Sequence, residues 1–239
     1  SEEAMALTER VFRSIPGLST NRTRKGGLVV KLEGQKKDSP RALAAHVDTL
    51  GAMVKTIKSS GRLTMSMIGG YAWNTIEGEG CTIFTRTGKR IRGSILVNAA
   101  SGHVYGAKTA ETKRDQDTME IRLDEKAQSA DETKALGIDI GDFISFDPRV
   151  ELTNGFVRSR HLDDKAGVAC LVEAARALQS AALKPIQTTY FYISNFEEVG
   201  HGAAAGIPAE ATELVVVDMA AIGEGQNSDE YHATICVKD

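Results

Sequence analysis

The stretch Ser159-Arg-His-Leu-Asp-Asp-Lys-Ala-Gly-Val168 decides how the rest of this 239-residue chain is read. From Lys165 onward apolar residues recur at Val168, Leu171, Val172, Ala175 and Leu178, the i, i+3, i+4, i+7 spacing of one helical face. The spacing predicts an amphipathic helix that runs to about Ser180 and stops before Pro185. Asp163 and Asp164 stand at its start, where free backbone N–H groups and the helix dipole favour negative charge. An isolated Asp-Asp there is most simply a cap. Here His46 with Asp48, Glu197 with Glu198, and Asp218 each close an apolar run of strand character. Carboxylates and an imidazole gathered at strand ends point to a metal site.

Those runs lie at 27–32, 41–47, 188–194 and 213–217. The second is apolar almost throughout, as strands covered on both faces are. Strand side chains alternate, so His46 and Asp48 point to the same side. Strands separated by a helix predict an α/β fold with a mostly parallel sheet, whose ligands collect at the carboxyl ends of the strands. A weaker helical pattern at 4–14 (Ala4, Leu7, Val11, Phe12) precedes Pro16-Gly17. The Gly- and Ala-rich residues 201–205 read as the opening of a further helix, and 233–237 as a strand. On this reading the α/β domain looks cut at both ends.

Between 51 and 150 the character changes. Six β-like pieces, 52–58, 63–67, 81–85, 90–97, 119–123 and 142–146, are punctuated by turns such as Ser60-Gly61, Thr87-Gly88 and Ser101-Gly102. Strands at this spacing without an amphipathic helix between them predict a small barrel or sandwich. The expected organisation is an α/β domain made of 1–50 and 151–239, interrupted by an all-β domain at 51–150. The charge-dense stretch 111–134 reads as a solvated loop or exposed edge, His103 as structural, and Trp73 as a core or interface residue.

Hydrophobic content of 41%, charged content of 26% and a net charge of -3 are those of an ordinary globular protein and carry no nucleic-acid footprint. The three cysteines form no CxxC pair, which excludes a disulfide framework or zinc ribbon and fits a reducing, cytoplasmic setting. Cys170 is expected on the inner side of the helix as a small core residue. No apolar run approaches the roughly 18 residues of a membrane span, and no signal-peptide pattern is present.

One histidine with several carboxylates and no cysteine suits zinc, cobalt or manganese in a hydrolytic centre. Of two adjacent glutamates, one can ligate while the other faces the substrate as a general base. An isolated Glu-Glu pair would be a solvated turn. The ordered set His46-x-Asp48, Leu162-Asp163-Asp164-Lys165, Glu197-Glu198-Val199-Gly200 and Val217-Asp218-Met219 resembles the glutamyl (deblocking, tetrahedral) aminopeptidase family of two-metal peptidases. The resemblance covers nearly the whole chain. It implies a catalytic α/β domain and an inserted PDZ-like or barrel domain that supports dimerisation, with dimers assembling into tetrahedral dodecamers.

Carried over by position, the resemblance makes Asp163 the bridge between two divalent ions, zinc or cobalt, with manganese admissible. His46 and Asp218 would complete one site and Glu198 would serve the other. Glu197 would be the base that activates the bridging water, Asp48 would orient His46, and Asp164 would support. The family's second ion takes a further histidine from near the natural C-terminus, beyond the reach of this sequence. His232, fourteen positions after Asp218, is not promoted to that position, and His161 and His201 read as packing groups or as supports behind the ligands, so one site is expected to be a ligand short. The implied activity is that of a cytoplasmic metalloaminopeptidase acting on short peptides. Two alternatives remain: a two-metal amidohydrolase for an acylated or peptide-like metabolite, and a non-catalytic assembly protein retaining the fold. Members of the family have also been labelled endoglucanases. The 5% aromatic content and the lack of a paired acid and nucleophile argue against that chemistry.

Overall fold

The computed structural model describes residues 1–236; Val237, the last residue of the expected strand at 233–237, lies outside them. Helix α1 (Glu2–Arg13) carries Glu2 and Glu3 in its first turn and Arg10 and Arg13 in its last, matching the helix dipole at both ends. Met5, Thr8 and Phe12 form its buried stripe, so the inward face is rotated from the expected one and Leu7 is exposed. Strands β1 (Leu18–Arg22), β2 (Leu28–Leu32) and β3 (Lys36–His46) follow.

The chain divides into two compact units, one formed by Ser1–Thr49 with His161–Asp239 and the other by Leu50–Arg160. In the second unit β4 (Gly51–Ile57), β5 (Leu63–Ile68), β6 (Gly80–Phe84), β7 (Arg90–Val97), β8 (Met119–Leu123) and β9 (Phe143–Phe146) close a barrel in the order β4-β5-β8-β7-β6-β9. All its pairings are antiparallel, and closure removes the unpaired edges an open sheet would expose. Alternate residues fill the interior: Leu63, Met65, Ile83, Ile95, Ile121 and Phe146 are buried together, with Trp73 half-buried against them. The short helices α2 (Gly102–Tyr105), α3 (Lys108–Glu111) and α4 (Ala130–Ala135) decorate the connections. His103, on α2, is exposed and not structural as expected. The charge-dense stretch is no simple loop, because β8 lies within it as a barrel stave. Glu120 on that strand is only 4% exposed and is neutralised by Lys58 and Arg62. The hairpin of β10 (Glu151–Thr153) and β11 (Phe156–Arg158) also belongs to this unit, which places the second boundary at 160 instead of 150.

In the first unit α5 (Leu162–Ser180), β12 (Gln187–Ser194) and β13 (Glu213–Val216) complete a five-stranded sheet in the order β1-β2-β12-β3-β13. The sheet is mixed, not mostly parallel. β12 and β13 both run parallel to β3, but β1 pairs β2, and β2 pairs β12, in antiparallel fashion. One face of the sheet packs Leu28, Val30, Ala45, Phe191 and Ile193 against Met5 and Phe12 of α1 and Val168, Leu171, Val172 and Ala175 of α5. Cys170 sits two residues, about 200° of helix rotation, from Val168, and is therefore exposed instead of inside. Residues 201–205 form turns and not a helix, bounded by Gly200 and Gly206 at φ 80° and 116°. Residues 233–236 are irregular and not a strand.

Candidate metal centre

The three parallel strands deliver their carboxyl ends to one edge. Ser194 of β12 is in register with His46 of β3, and Val217, just past β13, donates its N–H to the Ala44 carbonyl (2.8 Å). Residues that follow β12 and β13 therefore emerge beside His46, as ligand-binding residues do in open α/β sheets. His46 is 2% exposed, and its Nε2 lies 3.0 Å from Asp163 Oδ1, 3.6 Å from Glu197 Oε2 and 3.8 Å from Asp218 Oδ2. Two sets of candidate ligand atoms fall within 4.8 Å of one another, His46–Asp163–Glu198 and His46–Glu197–Asp218. The sets share His46, but a single imidazole nitrogen serves one ion, whereas a carboxylate can bridge two.

Asp164 and Asp48 hold this cluster in place. Asp163 and Asp164 are joined by a cis peptide bond, and the regular turns of α5 begin after them. Asp164 caps those turns, its Oδ1 accepting the Gly167 N–H at 3.0 Å, while its Oδ2 accepts the His46 N–H at 3.0 Å. Gly167 leaves space for that cap, since a Cβ there would meet the Asp164 carboxylate and the Val217 carbonyl. Asp48 Oδ2 accepts the Glu198 N–H at 3.0 Å. His46 Nδ1 lies 3.1 Å from the Asp48 main-chain oxygen and 3.5 Å from its Oδ1, so Asp48 touches the ring through both.

Desolvation, together with the neighbouring charges, perturbs several proton equilibria here. Desolvation, reinforced by Asp163, raises Glu198 to about 7, and desolvation raises Asp164 to about 6. Glu197 is raised by desolvation and then by Asp218, Asp48 and Asp163. Burial alone would lower His46, but hydrogen bonding to Asp48 and the charges of Asp48, Asp218 and Glu197 lift it to about 9. Burial would raise Asp48, yet bonds with His46 and the Glu198 and Glu197 amides hold it below its usual range.

The M42 glutamyl aminopeptidase family model matches residues 26–239. The chain belongs to this family. It is 51% identical over 223 residues to YhfE of Bacillus subtilis (strain 168), a protein provisionally named an aminopeptidase, covering 93% of this chain and 64% of that one. Among solved structures, an aminopeptidase of the archaeon Desulfurococcus kamchatkensis superposes with a TM-score of 0.71 at 26% identity, over 83% of this chain and 52% of its own. The Pyrococcus horikoshii TET1 peptidase, which can assemble into a tetrahedron or a large octahedral shell, gives a TM-score of 0.66 at 26% identity, over 83% and 57%. The chain thus spans less than two thirds of the length of these relatives.

The donor set of this M42 chain fits a divalent cation. It offers one imidazole nitrogen and four carboxylates gathered within a few ångströms, two of which, Glu197 and Glu198, are raised by desolvation and by their acidic neighbours, so a cation is the natural counter-charge. Lys165, next to Asp164 in the sequence, is a further member of the site. Its Nζ donates to the Val47 carbonyl at 3.0 Å, and desolvation lowers its pKa against the pull of Asp48, Glu198, Asp163 and Asp164. The one sign of it in the sequence is its place within Leu162-Asp163-Asp164-Lys165. His201 stacks on Phe196, and His232 bonds Asp229 at 2.8 Å, so neither joins the two ligand sets.

The shifts fix how the metal-free protein responds to pH. Asp164, Glu198 and His46 all bind protons more tightly folded than unfolded, over the windows 3.8 to about 6, 4.5 to about 7 and 6.5 to about 9. Each contribution is complete below the unfolded value and is lost as pH rises through the folded one. Asp48 and Lys165 have the opposite sign: Asp48 loses its contribution only below its ordinary value of 3.8, and Lys165 adds stability as pH rises toward its ordinary value of 10.5. Thermal melts of metal-free protein should therefore show Tm falling between about pH 6 and pH 9, with added zinc raising Tm more at the alkaline end. A Tm that climbs across that window would contradict these assignments.

Proposed function

We propose that this protein is a metal-dependent aminopeptidase that hydrolyses the first peptide bond of short peptides. The observation that carries the reading is the convergence of His46, Asp163, Glu197, Glu198 and Asp218 at one strand edge, in a chain of the M42 family. His46 and Asp218 would hold one divalent ion, Glu198 a second, and Asp163 both. Such ions polarise a carbonyl oxygen and make a water acidic enough to deprotonate near neutral pH. Glu197, with its pKa raised toward the working pH, accepts the proton from the attacking water at its carboxylate and passes it to the leaving amine. Asp48 keeps Glu198 and His46 aligned through the Glu198 N–H and the imidazole. The acidic rim suits the free ammonium group of a peptide's first residue.

Zinc, cobalt and manganese all suit an oxygen and nitrogen set of this kind. By analogy with the TET1 assemblies the protein would self-associate, with the barrel unit as the proposed contact, and its cysteine usage suits a reducing, cytoplasmic setting. The test is release of the first residue from free peptides, their N-acetylated counterparts and acylated amino acids, with zinc or cobalt and after chelation. Cleavage of free peptides alone, abolished by chelator and restored by metal, is the expected result. Preference for the acylated compounds would replace it with an amidohydrolase. Tight metal binding without hydrolysis would leave an assembly protein.

A further inference from the structure

Phe196 carries the backbone into the left-handed region, at φ 71° and ψ 22°, immediately before Glu197. A bulky residue adopts that conformation only where its surroundings hold it, and glycine or asparagine would suit the backbone better. Nor does burial account for the ring, which is 41% exposed. The ring instead stacks on His201, with centroids 5.4 Å apart and planes 14° from parallel. Lys25, at the tip of the β1–β2 hairpin, places Nζ 5.7 Å from the Phe196 centroid and donates to the His201 main-chain carbonyl. Within the turn the His201 N–H donates to the Phe196 carbonyl (3.2 Å), and the Gly200 N–H to the Glu197 carbonyl (2.7 Å). Gly202 lies so close that a Cβ on it would stand 2.9 Å from the Glu197 Cα and N. Behind it the Tyr192 hydroxyl donates to the Ala205 carbonyl at 2.7 Å.

We propose that Phe196, His201 and Lys25 form a clamp that fixes the Glu197–Glu198 turn with its carboxylates aimed at His46. They are positioning residues, and their role in hydrolysis rests on the function proposed above. The stack closes the turn from outside, while Asp48 closes it from inside through the Glu198 N–H. Lys25 lies 176 positions from His201, so the clamp ties the β1–β2 hairpin to the active turn.

The experiment compares Phe196→Gly, His201→Ala and Lys25→Ala with the conservative variant Phe196→Tyr in the whole chain. Glycine at 196 accepts the left-handed backbone and removes the ring but also frees the chain there, so His201→Ala, which leaves the backbone at 196 untouched, decides the case. Readouts are hydrogen exchange of the Glu198, Gly200 and His201 amides, cobalt affinity by absorbance, and kcat and KM on a free peptide. Phe196→Gly and His201→Ala should speed exchange at these amides by roughly tenfold or more, and Lys25→Ala by several-fold, with overall Tm close to that of the parent. Cobalt affinity should weaken several-fold and kcat should fall about tenfold with KM unchanged, as for loss of alignment instead of binding. Phe196→Tyr should restore all three. Unchanged exchange and cobalt affinity in His201→Ala would overturn the clamp, whatever the activity. Absence of hydrolysis by the parent would instead remove the proposed function, with the exchange data still deciding the clamp.

Discussion

Replacing Glu197 with Gln should lower kcat for the proposed peptide hydrolysis by about 10²–10⁴-fold and leave KM and bound metal nearly unchanged. The carboxamide matches the carboxylate in shape but cannot accept a proton at neutral pH. The side chain is half-exposed with Oε2 3.6 Å from His46 Nε2, so the substitution opens no cavity. Because Glu197 also falls in a ligand set with His46 and Asp218, the same variant separates two roles. If Glu197 were a ligand, metal content would fall together with kcat. Retained metal with lost turnover identifies the base.

Replacing Asp163 with Ala should have the largest effect on metal binding. Its Oδ1 lies 3.0 Å from His46 Nε2, within the set His46–Asp163–Glu198, and its carboxylate is the one assigned to both ions. Removing a partner that only orients a ligand costs 10–100-fold in affinity, so loss of a shared ligand should cost roughly 100-fold or more. Competition against a chromophoric chelator measures this directly. Asp147→Ala is the matching control: that carboxylate pairs with Arg92 in the barrel unit, and its loss should leave metal affinity unaltered. Equal affinity of the Asp163→Ala variant and the parent would show that the cluster binds its ion elsewhere.

Much of this arrangement is legible in the chain because its signals are local. Strand pieces of the barrel announce themselves by alternation and by glycine turns, and β12 by its run of β-formers. His46, Glu197, Glu198 and Asp218 are visible because they end apolar runs that parallel strands bring together, and Asp163 because it opens the amphipathic helix. What escapes the sequence lacks an apolar signal of its own or depends on partners far along the chain. β1 is missed because Leu18-Ser-Thr-Asn-Arg22 has one apolar residue, and its pairing with β2 supplies the order. That hairpin also turns an expected parallel sheet into a mixed one. Cys170 is misjudged by helical phase alone, since the buried stripe runs through Gly167, Val168, Leu171 and Val172. The roles of Asp164 and Lys165 depend on contacts with His46 at the end of β3 and with Val47 just past it, across 118 positions, which no spacing rule reveals.

Metal content per chain, by elemental analysis after dialysis against metal-free buffer, decides whether the carboxylates around His46 form a metal centre. About one to two ions of zinc or cobalt should be retained per chain, and lost from the Asp163→Ala variant. No retained ion, even after incubation with excess zinc and cobalt, would mean that the carboxylates around His46 serve the fold alone, and the hydrolytic reading would fall with them.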